Sequence, residues 1–348
     1  MIVGAWQWPI YEHAFSQALS NYGVDVIPCK TQQFFEGFLG KYRTALPAFD
    51  LIKWRLNRFV ITQAEQCQPN WVLFWRPTHI YPSTLSRLTA LGIKTASYNN
   101  DDPFGPERHR RAPWHHYYLW RLYKKCLPQF DRNFFYRHIN CIESTEYGAR
   151  HAEVLMPYFI PEVNRPLQLQ NIEKERFETD VVFVGHYEPD GRELSVRTLV
   201  ESGVKIKIWG GHYWSRKVLG AAYDGLMPIV LAEGDDYTKA LSGAKVCLAF
   251  LSKLNRDTYT RRCFEIPACG RVMLAERTDD LLKIFKEDEE ACFFSTVDDL
   301  VNKVHWLLEN PKARERIAKA GQHRVWADGY DVNSRAKEFV AKLNLTTI

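Results

Sequence analysis

The chain has 348 residues, 46% of them hydrophobic and 25% charged, and carries a net charge of +5. That length predicts about two domains with sizeable cores, and no apolar run reaches the ~18 residues of a membrane span. The first residues have neither the basic start nor the long apolar core of a signal peptide. The eight cysteines include no C-x-x-C pair, which argues against a zinc or redox site and for a reduced, cytoplasmic protein.

Short apolar runs alternate with helical patterns along the chain, the signature of parallel sheets covered by helices. In the first half, strands are expected at 1–5, 24–28, 71–75, 94–98 and 132–136. Helices are expected at 12–21, 46–66, 83–91 and 114–126. Pro82 before Ser83 is a helix start, and Gly92 a stop. Residues 1–170 hold 19 Lys and Arg against 13 Asp and Glu, leaving 27 against 28 in the remainder. Seven of the eleven tryptophans also lie there. A basic, aromatic half suits a partner that is anionic, sugar-bearing or a membrane surface. A domain that merely tolerates surface arginines gives the same count.

Several residues follow expected strands, where open α/β sheets bind ligands. Trp6 and Trp8 follow the first strand and could stack on an acceptor sugar; core packing is the equal alternative. The loop Asn99-Asn100-Asp101-Asp102-Pro103 ends the fourth strand, with Arg108, His109, Arg110 and Arg111 close behind. A carboxylate here could act as base on an acceptor hydroxyl or hold a transferred sugar, and a solvated turn is the competing reading. Adjacent aspartates point apart and so do not form a metal-binding D-x-D. His79, His109 and His138 also follow strands, and nothing in the pattern chooses a base among them. Residues 49–61 read either as an amphipathic helix touching lipid or as a helix covering the sheet.

Residues 157–179, with Pro157, Pro161, Pro166 and a polar stretch, read as a linker. A second unit follows, with strands at 180–185, 205–209, 245–251 and 271–275. Its helices are expected at 192–201, 236–241, 259–268, 279–285, 297–308 and 312–324, with a last helix at 333–343. Gly185-His186 after the first of these strands allows backbone to approach a phosphate, and a plain tight turn is as good a reading. Arg192 opens the next helix within reach of a diphosphate, or lies on the surface. Trp209-Gly210-Gly211 follows the second strand, and Lys253 the third.

The stretch from Asn255 to Gly270 carries the most chemistry. It places carboxylates at Asp257 and Glu265, and arginines at 261 and 262. A helix from Tyr259 would bring Arg262 and Glu265 onto one face at i, i+3. Its N-terminus suits a phosphate, and an acid one or two turns in can accept hydrogen bonds from ribose hydroxyls.

This segment resembles the donor-binding motif of GT-B glycosyltransferases, two acidic residues separated by seven others, with Asp257 in place of the usual glutamate. Arg262-x-Phe264-Glu265 with Pro267, the run Ile317-Ala-Lys-Ala-Gly-Gln-His-Arg324 and the 97–103 loop resemble the CgeB-like branch. The resemblance implies an α/β chain of two Rossmann-like domains facing each other across a cleft. Residues 1–165 would form the acceptor domain and 180–325 the nucleotide-sugar domain, with 326–348 packing back on the first. Glu265 would hold the ribose, and Arg262 and Lys253 the diphosphate. Gly185, His186, Arg192, Trp209 and Gly210 would complete the donor site, with Asp257 near the donor sugar or the diphosphate. Asp101, Asp102 or His109 would serve catalysis, and Trp6, Trp8 and Asn100 the acceptor. The implied reaction moves a sugar from a nucleoside-diphosphate sugar to a hydroxyl of a polysaccharide, glycolipid or protein glycan, with retention and without metal or other cofactor. A location in the cytoplasm, with peripheral contact at the inner face of the membrane, goes with it. The alternatives are a sugar-nucleotide epimerase or hydrolase of the same fold, or a non-enzymatic polyanion- or nucleic-acid-binding module.

Overall fold

The computed structural model describes residues 1–36, 50–105, 114–232 and 234–345. Its contacts divide the chain into two compact units, Met1–Pro157 with Val332–Ile348, and Tyr158–Asp331.

The first unit is built on six parallel strands: β1 (Ile2–Gly4), β2 (Pro28–Lys30), β3 (Trp71–Trp75), β4 (Lys94–Asn99), β5 (Arg132–Phe135) and β6 (Ala152–Val154). Their order is β2-β1-β3-β4-β5-β6, with Ile2 opposite Leu73 and Phe74 opposite Ser97. The chain lays down β1, steps to one side for β2, then returns past β1 for β3. That reversal opens a crevice beyond the carboxyl ends of β1 and β3, where such sheets bind ligands. Helices cover both faces, so most strand positions are apolar and buried. Val72, Phe74 and Phe135 pack with Leu56 and Val60 of the helix Leu51–Cys67 and with Leu85 and Leu88 of Pro82–Ala90. The Asp50 side chain starts the former helix by accepting from the Ile52 N–H at 2.7 Å. The last helix, Val332–Leu343, buries Phe339 edge-on against Phe15 and tilted against Phe134.

The second unit has five parallel strands: β7 (Thr179–Val184), β8 (Ile206–Trp209), β9 (Ala244–Ala249), β10 (Val272–Glu276) and β11 (Cys292–Phe294). Their order is β11-β10-β9-β7-β8, so a second reversal falls between β7 and β9. Val181 pairs with Val246 and Phe183 with Leu248 across it. Val181 and Phe183 point into a core with Val196 and Leu199 of the helix Arg192–Glu201, and with Leu300 and Val304 of Val297–Glu309.

Several expected elements shift. The strand expected at 24–28 forms at Pro28–Lys30, and the Ile27 carbonyl only accepts from the Ile2 N–H. The helix expected at 114–126 breaks at Trp120 into Trp114–Leu119 and Arg121–Cys126. The linker expected at 157–179 contains a helix, Asn171–Phe177, closed by a capping box between Gln170 and Glu173. The helix expected from Tyr259 runs Arg262–Ala268. Residues 46–49, expected to begin a helix, lie outside the described residues. No helix among the described residues is long and apolar enough to cross a membrane.

Candidate functional site

At the reversal in the second unit, β7 delivers Gly185, β8 delivers Gly210, and the chain after β9 delivers Ser252. The two glycines meet. Gly185 N–H donates to the Trp209 carbonyl at 2.9 Å, and the Gly185 carbonyl accepts from the indole N–H of buried Trp214 at 2.9 Å. A side chain at Gly210 would collide with that carbonyl and that indole. A Cβ at Gly185 would lie 2.7 Å from Phe183 Cζ and 3.3 Å from an Arg262 guanidinium nitrogen. Bare backbone at both positions therefore lets β7, β8 and Arg262 converge.

Arg262 is the least satisfied cation of this region. Its guanidinium stands 5.5 Å from the Phe183 ring centroid, and its Nε is buried without a hydrogen-bond partner among the described residues. A buried donor left unpaired is costly unless a ligand completes it. Arg262 does not pair with Glu265. Glu265 instead takes Arg261, one helical turn away at i, i+4, with Nε at 3.0 Å and Nη2 at 2.8 Å from Oε1. Its other oxygen accepts from the Tyr237 hydroxyl at 2.6 Å. Burial, then the Glu265 charge, push the Tyr237 hydroxyl well above its usual range, so it stays a donor. Glu265 is thus a buried carboxylate held still by two partners, with lone pairs left over for a hydroxyl-bearing ligand.

Beside these residues lies a network that the sequence reading did not single out. Glu188 Oε2 accepts from Ser252 Oγ at 2.5 Å, and its Oε1 lies 3.2 Å from His186 Nε2. Burial would raise the Glu188 carboxyl, but hydrogen bonds from His186 and Ser252 and the charge of Arg192 hold it down at about 2. Arg192 anchors this loop. It is 3% exposed, with Nε 2.8 Å and Nη2 2.5 Å from the Asp190 carboxylate, and Nη1 2.9 Å from the His186 carbonyl. Its donors are thus met inside the protein. Lys253 is exposed and pairs with Glu276 Oε1 at 2.8 Å. Asp257 sits outside any helix, its backbone N–H bonded to the Ser252 carbonyl at 2.9 Å, next to Arg256 with φ of 48°. Trp209 is buried, stacked on Phe177 at 5.1 Å, so its indole faces the domain interior.

The reversal in the first unit opens a cavity of about 710 Å³. Trp8, Tyr11, Trp75, Arg76, His79 and Asp101 line it, together with Glu12, a buried carboxylate absent from the expected site. Asp101 forms an ion pair with Arg76. Burial would raise the Asp101 carboxyl, but Arg76, with help from Arg137 and His116, holds it below its usual range, which makes it a poor base. Asp102 is buried and tied into its own loop. It is 2% exposed, and its Oδ1 accepts from the Phe104 and Gly105 N–H groups at 3.0 and 2.9 Å and from Asn140 at 2.9 Å. Trp6 is likewise a core residue: it is buried, edge-on to His13 at 5.0 Å, and its indole donates to the Ile2 carbonyl. Trp8 is 57% exposed at the cavity mouth. The Asn100 carbonyl accepts from Arg137, while its side-chain Oδ1 is buried without a partner among the described residues. His79 is pushed down to about 3 by burial and by the charges of Lys53 and Arg76, so it stays neutral. His109 and its neighbouring arginines lie outside the described residues. Among the described residues no group of three or more His, Cys, Asp or Glu could hold a metal ion.

Residues 192–341 match the family model described as glycosyl transferase-like. No curated protein matches the chain. Among solved structures, Anabaena Alr3699/HepE in complex with UDP and glucose aligns at TM-score 0.67 and 10% identity, covering 99% of each chain. A glycosyltransferase from Rickettsia africae aligns at 0.65 and 10%, covering 98% of this chain and 96% of that one. Sucrose-phosphate synthase from Thermosynechococcus elongatus aligns at 0.64 and 12%, covering 84% and 77%. At such identities the structures establish a shared fold, and the family match covers the region that contains Arg262 and Glu265. The chain thus has the GT-B fold, and its residues 192–341 match a glycosyl transferase-like domain.

Proposed function

We propose that the second unit binds a nucleoside-diphosphate sugar and that the sugar passes to an acceptor hydroxyl held by the first. One observation carries the donor site: the Arg262 guanidinium waits beside side-chain-free Gly185 with its Nε buried and unpartnered, one turn from the immobilised carboxylate of Glu265. A diphosphate over Gly185 completes Arg262, and ribose hydroxyls donate to Glu265. Lys253 adds charge by leaving Glu276 for the diphosphate. With cationic side chains stabilising the leaving group, transfer proceeds without a metal. Uridine is the first base to test, because HepE was solved with UDP and with UDP-glucose. The Asp257–Glu265 spacing supports transfer with retention, and the Arg262-x-Phe264-Glu265 run supports a CgeB-like branch. Polysaccharide, glycolipid and protein glycan all remain within the acceptor class. Leu51 and Trp54 are exposed on the helix Leu51–Cys67, with Arg58 over the Trp54 ring. That face supports peripheral contact with an anionic membrane.

The test is a nucleotide-release assay over UDP-, GDP- and ADP-sugars, with and without glycan extracts as acceptor. The expected result is release from one sugar nucleotide, stimulated by acceptor, giving an α-linked product from an α-linked donor, and falling at least tenfold in Arg262→Met. Release that acceptor never stimulates identifies a hydrolase, and interconversion of sugars without release an epimerase.

A further inference from the structure

Glu12 has no part in the proposed donor site, yet it is a buried residue, 4% exposed, that lines the cavity of the first unit. Its hydrogen-bonding neighbours among the described residues are backbone N–H groups at Ala5, Trp6 and Glu12 itself, with His13 the nearby titratable group. It lies directly over Gly4, the last residue of β1, where any Cβ would collide with Oε1. The chain therefore leaves β1 through a residue without a side chain, and the carboxylate fills that space.

The two strand exits that border the cavity are strained. Trp6 and Arg76 have φ of 57° and 50°, in the left-handed region that bulky side chains rarely adopt. Such outliers collect where a ligand is bound. A volume of about 710 Å³ is in the range of a small-ligand pocket. Exposed Trp8, with Tyr11 and Trp75, supplies the flat apolar surface on which the C–H face of a pyranose packs.

The charges of the wall select the ligand further. Among the described lining residues the acids are Glu12, Glu36 and Asp101, the only guanidinium is Arg76, already paired with Asp101, and His79 is neutral. Among the described lining residues an anion would meet carboxylates and no cation beyond the paired Arg76, whereas hydroxyl groups would donate to the carboxylates. This local balance is the reverse of the excess of Lys and Arg over residues 1–170.

We propose that this cavity is the acceptor site, that it takes an uncharged pyranose, and that Glu12 accepts a hydrogen bond from a hydroxyl of that sugar while Trp8 covers its apolar face. The inference rests on the glycosyltransferase reading only in calling the ligand an acceptor; the binding itself is independent of the donor.

Tryptophan fluorescence and saturation-transfer NMR would be recorded on the full chain, without nucleotide. The probes are the methyl pyranosides of glucose, galactose, mannose and N-acetylglucosamine, beside methyl glucuronide. At least one neutral glycoside is expected to bind, with methyl glucuronide at least tenfold weaker. Glu12→Gln and Trp8→Ala should each weaken that binding at least tenfold while UDP binding, measured separately, stays within twofold. Gly4→Ala, which displaces Glu12, should act as Glu12→Gln does. The proposal is overturned if no neutral glycoside binds, if the glucuronide binds as well, or if Glu12→Gln binds like the parent. Loss of UDP binding in the parent protein would instead strike at the donor reading and leave this one standing.

Discussion

Two arginines of the second unit look alike in sequence and differ in what surrounds them. Arg192 is locked into Asp190 and the His186 carbonyl, whereas Arg262 has an orphan Nε. Arg192→Met should therefore cost about 3–5 kcal/mol in denaturant unfolding, because it leaves Asp190 buried and uncompensated. Arg262→Met should leave stability unchanged or slightly raised, and weaken nucleotide binding at least tenfold by calorimetry. Equal stability losses in the two variants would contradict this division. Glu265 needs the conservative change. Glu265→Gln keeps the shape beside Arg261 and Tyr237 while weakening the acceptor that ribose requires, so it should reduce nucleotide affinity roughly 10-fold, in line with the ~1.5 kcal/mol of one charge-assisted hydrogen bond. The pairing itself shows how far the sequence was legible. Both Arg261 and Arg262 stand at helical spacing from Glu265, and the choice of partner depended on where the helix begins. Once it starts at Arg262, residue 261 turns toward the carboxylate and residue 262 toward β7. Tyr237 and Glu188 gave no local signal, since only the sheet brings residues 28 and 64 positions apart into contact. Glu12 was visible as a carboxylate just after the first strand, in a segment read as the start of a helix.

At the scale of elements, strands with strong apolar runs were read closely: β3 formed on the expected residues, and β4 and β5 within one residue. The missed elements are short or weakly patterned. β11 is three residues long, and Arg216–Leu219 and Ala222–Leu226 each make barely one helical turn, too little for a period to show. The strand ends carry the site because three bare backbone positions, Gly4, Gly185 and Gly210, let neighbouring elements close in. Gly210→Ala should lose about 1–3 kcal/mol through the collision with the Gly185 carbonyl and the Trp214 indole. Hydrogen exchange of the same protein with a bound nucleotide should slow at 183–188, 209–211 and 252–265. Protection confined to other segments would place the donor elsewhere.

For the whole molecule, acid acts through buried groups of opposite sign. Glu188 has its folded pKa depressed from 4.5 to about 2, so its stabilisation is present above pH 4.5 and lost as the pH falls through about 2. That loss is about 3 kcal/mol at most, less some screening for its 18% exposed side chain. Glu12 is shifted the other way, raised by burial against the backbone N–H groups of Glu12, Trp6 and Ala5 that lower it. Its ionised form costs the first unit stability at neutral pH, and that cost disappears on acidification. Unfolding followed by a probe in the second unit should show stability falling as the pH drops toward 2, and Glu188→Gln should flatten that dependence. Glu12→Gln should raise the stability of the first unit at pH 8 while it impairs saccharide binding, the trade expected of a site residue.

The central claim is that Arg262 and Glu265 form a nucleoside-diphosphate site. Thermal unfolding of the parent, Arg262→Met and Glu265→Gln proteins, each with UDP, GDP, ADP and CMP in large excess, tests it most directly. A ligand at 100 times its dissociation constant adds about 2.7 kcal/mol to stability. The predicted result is a rise in Tm with one diphosphate, UDP first among them, that is largely lost in both variants. No rise with any nucleotide, or an equal rise in all three proteins, would contradict it.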